Sequence, residues 1–84
     1  MNITLKLFAT LTDYLPLESR YTNVVELDLA SGTSIGQVIE RFSLPEKLVH
    51  LVLINGTYVA PDKRQNQVLN EGDVLAIWPP IAGG

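Results

Sequence analysis

The sequence contains no cysteine and only one histidine, and charged residues make up 18% of it. Without cysteine there is no disulfide framework, no thiolate metal site and no thiol nucleophile, and the chain suits a reducing compartment. His50 has no ligand-spaced partner, so no metal site is expected, and a packed or edge histidine is the reading. No carboxylate pair and no glycine-rich phosphate loop occurs, so catalysis by this chain alone is not expected. Basic residues number 6 against 9 acidic, a net charge of −3. Nucleic-acid binding needs a concentrated basic surface and is not expected here. The apolar run Leu51 to Ile54 falls far short of the ~20 residues of a membrane span, so no membrane association is expected. No charged segment precedes an apolar stretch as in a signal peptide, and a cytoplasmic location is expected.

What the chain does have is apolar patterning. It is 84 residues long and 46% hydrophobic, which predicts one domain with an efficient core. Residues 2–8 alternate, with Ile3, Leu5 and Leu7 on one face and Thr4, Lys6 and Phe8 on the other, the pattern of a half-buried strand. Residues 9–15 carry Leu11, Tyr14 and Leu15, a short helix that Pro16 closes. Residues 16–22 read as loop. Residues 24–29 alternate again through Val25, Leu27 and Leu29, and this strand is expected to pair with the first.

Ser31-Gly32-Thr33-Ser34 marks a helix start, with Thr33 as the expected N-cap. Gln37 then stands one place late for a capping box. Ile35, Val38, Ile39 and Phe42 form one helical face, and Pro45 ends the helix. Gly36 is expected to weaken it by about 1 kcal/mol relative to alanine. Residues 48–54 read as a central strand. Asn55-Gly56 predicts a type I′ hairpin turn, and residues 57–59 return as a short strand. Residues 61–67 read as a polar loop with Lys63 and Arg64 in solvent. A tight turn spans residues 69–72 and a last strand residues 73–78. The crossover through the helix is expected to put later strands on both sides of the first pair. This order predicts an α+β class, a mixed sheet wrapped around one main helix.

The sequence then ends Pro79-Pro80-Ile81-Ala82-Gly83-Gly84. Proline fixes φ and glycine removes Cβ, so this segment is expected to leave the domain stiffly and finish without side chains. The division expected is a domain over residues 1–78 and an extended tail over residues 79–84. Extended, six residues reach about 20 Å at ~3.3 Å each, enough to enter another protein's pocket. Parity puts Val74, Ala76 and Trp78 off the core face of the last strand. Together Phe8, Tyr58 and Trp78 then predict an exposed aromatic patch leading into the tail, a partner-binding surface.

The sequence resembles the ubiquitin-like β-grasp fold and, within it, the MoaD/ThiS family of sulfur carriers. The resemblance rests on Leu5 to Ala9, on Val52 to Gly56, on Leu69 to Val74 and on the ending from Pro79 to Gly84. The Pro79-Pro80 pair is closest to the MoaD branch, the small subunit of molybdopterin synthase. The resemblance implies a carrier that binds no cofactor itself. A ubiquitin-activating-type adenylyltransferase would use ATP to adenylate the Gly84 carboxylate, and a persulfide donor would supply sulfur to make a thiocarboxylate. Pro79, Pro80, Ile81, Ala82 and Gly83 would thread into the client. That client would be the molybdopterin synthase large subunit, in molybdenum or tungsten cofactor biosynthesis, or a thiazole synthase-like enzyme for thiamine. An amino-acid pathway, and a ubiquitin-like modifier forming isopeptide bonds through Gly84, are the implied alternatives.

Overall fold

The computed structural model describes residues 1–80. Five strands form one sheet: β1 (Asn2–Leu7), β2 (Val24–Asp28), β3 (Leu51–Ile54), β4 (Thr57–Tyr58) and β5 (Val74–Trp78). The order across the sheet is β2-β1-β5-β3-β4. Strands β1 and β5 are parallel and the other neighbours antiparallel. The mixed sheet is as the alternation predicts, but the placement of later strands is not. They add only beyond β1, and β2 stays at the edge with Glu26 and Asp28 exposed. Charged side chains suit an edge that must not recruit another strand.

The inner face of the sheet is aliphatic. Ile3, Leu5, Leu7, Leu75, Ile77 and Val52 have at most 1% of their surface exposed. The helix α1 (Ile35–Arg41) covers this face with Ile35 and Val38, both buried. Its cap differs from the expectation for Thr33. Ser34 is the N-cap, because that register puts Gln37 at the position a capping box needs. The Gln37 amide donates to Ser34 Oγ at 3.2 Å, and the Ser34 amide donates to Gln37 Oε1 at 2.8 Å. The Thr33 hydroxyl instead donates back to the Ala30 carbonyl at 2.7 Å. The helix stops before Pro45: Phe42 is the C-cap and Ser43 turns at φ 54°.

The short helix expected over residues 9–15 is present as a 3-10 helix, Ala9–Tyr14, which buries Leu11. Two other segments differ from expectation. Residues 16–22 include a further 3-10 turn, Leu17–Ser19. The strand expected over residues 48–54 begins only at Leu51, because Glu46–Leu48 closes a 3-10 turn behind Pro45.

Residues 61–67 are not a plain loop. Pro61–Arg64 forms one turn of helix, α2, with proline at its start, where a missing amide hydrogen costs nothing. Arg64, expected in solvent, is 8% exposed. It donates to the carbonyls of Val59 at 3.1 Å, Val49 at 3.3 Å and His50 at 3.0 Å. Burying a guanidinium is tolerable only with such partners.

The turns follow their residue types. Asn55 and Gly56 have φ of 50° and 83°, as a type I′ hairpin turn requires. Asp73 holds that turn against the next one. Its carboxylate accepts from the Asn55 side-chain amide at 2.9 Å and from the Asn70 backbone amide at 2.8 Å.

Candidate functional site

The site is built where β5 ends. This strand is held on both flanks, by β1 and by β3, so the segment that follows it leaves from the middle of the sheet. Leu7 is paired with Ile77, and the Phe8 amide donates to the Ile77 carbonyl at 3.2 Å. That register sets Phe8 beside Trp78 on the outer face. Their rings stack, with centroids 4.0 Å apart and planes 4° from parallel. Ala9, at φ 53°, then turns the chain away from the sheet. A non-glycine residue in that region is uncommon.

Trp78 is tied on its other side as well. It pairs with Leu51, and its carbonyl accepts from the His50 amide at 3.0 Å. His50 itself has an exposed side chain. Beyond Trp78, Pro79 is half-buried and Pro80 is exposed. Neither proline carries an amide hydrogen, so sheet pairing stops there. The two residues act as a strand stop, and β5 ends at Trp78. Ile81, Ala82, Gly83 and Gly84 lie outside the described residues.

The structure brings Phe8 and Trp78 together but sets Tyr58 apart. Tyr58 pairs with Leu53, which pairs with Ala76, so its register puts it on the same outer face. It stands on the edge strand β4, 55% exposed, with β3 between it and the stacked pair. Leu51 and Leu53 fill that gap and extend the apolar surface. The sequence did not single them out, because an unbroken apolar run from Leu51 to Ile54 hides which residues face outward. Pairing with Trp78 and Ala76 is what separates the faces. Lys6, paired with Ala76, is the cation on this side of the sheet nearest the aromatic pair by register.

The geometry sets a partly open apolar surface, with Phe8 and Trp78 at its centre, beside the point where β5 ends. Among the described residues no three potential ligands gather to hold a metal ion. No helix of the described residues is long and apolar enough to cross a membrane.

A mixed five-stranded sheet over one main helix, with its last strand in the middle, is the ubiquitin-like β-grasp fold. The chain belongs to the ThiS family, which it matches over residues 5–84. An uncharacterised protein of Archaeoglobus fulgidus is 33% identical over 92% of this chain and 88% of that one. Solved structures share the fold. SAMP1 from Haloferax volcanii superimposes with a TM-score of 0.71 at 22% identity, covering 100% of both chains. A chain in the complex of subunits 1 and 2 of the molybdopterin-converting factor from Helicobacter pylori has a TM-score of 0.61 at 17% identity, again over 100% of both chains.

Proposed function

We propose that the protein is a sulfur carrier whose reactive group is the Gly84 carboxylate. The observation that carries this reading is the exit of β5: flanked on both sides, it runs past the Phe8–Trp78 stack into Pro79-Pro80, and in the sequence Gly83-Gly84 follow close behind. Membership of the ThiS family supports it.

A carboxylate resists nucleophiles because of its charge. An adenylyltransferase of the ubiquitin-activating type would join it to AMP from ATP, releasing pyrophosphate. The terminal sulfur of a donor persulfide then attacks the acyl carbon and AMP leaves. A thiol cleaves the resulting acyl disulfide, leaving the Gly84 thiocarboxylate and an oxidised disulfide. That thiol comes from a partner, since this chain has no cysteine. The carrier contributes position: the outer-face aromatics dock, and the slim tail places the reacting atom in the partner's site.

The client we favour is the large subunit of molybdopterin synthase. The likeness to a chain in the Helicobacter pylori complex supports a two-subunit assembly of that kind. A second reading is favoured by the likeness to SAMP1, a small archaeal modifier: Gly84 would then join lysines of other proteins through an isopeptide bond. Both readings share the adenylation step. Pyrophosphate release with the activating enzyme and ATP tests it. Gly84→Ala puts a methyl beside the reacting carbon and is expected to slow release severely; release at the wild-type rate would overturn the reading. Mass spectrometry then separates the two fates: oxygen replaced by sulfur at Gly84, or the peptide from Gln65 to Gly84, which has no internal lysine or arginine, joined to foreign lysines after tryptic digestion.

A further inference from the structure

We propose that a groove on the helix side of the sheet binds a peptide segment of a partner protein, one that presents cationic side chains beside aliphatic ones. The groove runs between α1, the segment from Leu44 to His50, and α2, with a volume of about 590 Å³. That size falls within the range of natural binding clefts. Its apolar lining includes Ile39, Leu44 and Val49, with Leu44 buried and the other two half-buried.

Close helix packing shapes one end. A Cβ on Gly36 would stand 2.9 Å from the Gln65 side chain and 3.0 Å from its Cα, so only glycine lets α1 and the segment after α2 meet there.

The charge of the lining selects the occupant. Glu40 and Glu46 line the groove and are both exposed. Among the described residues, the one lysine or arginine in the lining is Arg64, and it is buried with three donors directed at backbone carbonyls. The neighbouring cations Arg41 and Lys47 do not line the groove. Free charge at the opening is therefore negative, which favours a lysine or arginine whose aliphatic stem lies on the apolar floor.

The sheet edge makes a peptide the fitting ligand. Tyr58 lines the groove and belongs to β4, the last strand in the sheet. An edge strand leaves backbone groups free to pair with an added chain. The groove runs from α1 to the β4 edge, where Tyr58 borders both the groove and the outer face, and neither Phe8 nor Trp78 lines it. The proposal does not depend on sulfur at Gly84.

The test is a titration of the full chain, observed by amide NMR, with a synthetic peptide of alternating leucine and lysine, beside a leucine–glutamate peptide. Expected are shifts centred on Gly36, Glu40, Val49 and Gln65 with the lysine peptide and none with the glutamate peptide. Reversing both carboxylates, Glu40→Lys with Glu46→Lys, is expected to weaken binding about tenfold, two exposed ion pairs' worth. Reversing Asp13 and Glu18, which lie outside the groove, leaves affinity unchanged. All four side chains are exposed, so the fold survives, and the amide spectrum verifies it. The proposal is overturned by absent binding, by shifts centred on Trp78, by equal affinity for the glutamate peptide, or by an equal effect of the two charge reversals.

Discussion

The two faces of the sheet come from the same strands and differ in chemistry and exposure. The inner face is aliphatic and closed to water, with Leu5, Leu7, Leu75 and Ile77 at 0% exposure. The outer face carries both rings of the stacked pair, Phe8 and Trp78, together with Leu51, Leu53 and Lys6, all half-buried. A surface serving solubility alone would place polar residues opposite the core. Toward β2 it does so, with Thr4 donating to Glu26 at 2.7 Å. Around β5 and β3 it does not. The difference teaches that the inner face supplies the core, while the β5 side of the outer face leaves apolar surface partly open, the surface we propose for docking.

Substitutions can break that contrast. On the inner face, Leu5→Ala leaves a cavity in the middle of the core. A loss of about 2–5 kcal/mol is expected, read by denaturant unfolding. If the loss stayed below ~1 kcal/mol, the inner face would not be the stabilising one. On the outer face, Trp78→Ala is expected to keep the fold and weaken binding of the activating enzyme or client by about 1–2 kcal/mol. Calorimetry checks this, and unchanged affinity would remove the aromatic pair from the docking surface. Stability lost with the stack alone is expected at about 1 kcal/mol.

Two smaller effects sharpen the role of α1 as the lid of the inner face. Ser34→Ala removes one half of the capping box and is expected to cost about 1 kcal/mol, seen as a lower melting temperature. Gly36→Ala sets a helix-propensity gain of about 1 kcal/mol against the contact with Gln65. Because Gln65 Cα stands only 3.0 Å from the added carbon, a net loss of stability is expected in thermal unfolding. A gain would show that Gln65 moves aside freely.

The inner face was legible in the sequence because period-two alternation states it directly. Ile3, Leu5, Leu7, Leu75 and Ile77 follow from parity alone, and the hairpin follows from Asn55-Gly56. The helix was legible in extent but not in its cap. Thr33 and Ser34 are chemically equivalent, and only the spacing to Gln37 separates them. Arg64 was not legible at all, since its partners are backbone carbonyls brought near by tertiary structure. Strand order was lost for a similar reason: the sequence states alternation, not which edge of the first pair the crossover reaches. At the site, Phe8 and Trp78 were readable by parity, while their stacking depends on the Leu7–Ile77 register, and the separation of Tyr58 depends on β3 lying between. The tail was readable only as chemistry, through two prolines and two glycines.

The most direct test of the account is the intact mass of this protein recovered from its native cells under conditions that preserve acyl sulfur. The account predicts a fraction in which one oxygen at Gly84 is replaced by sulfur, lost on removal of the activating enzyme. A chain that carries only an unmodified carboxylate while sulfur transfer to the client proceeds would contradict it.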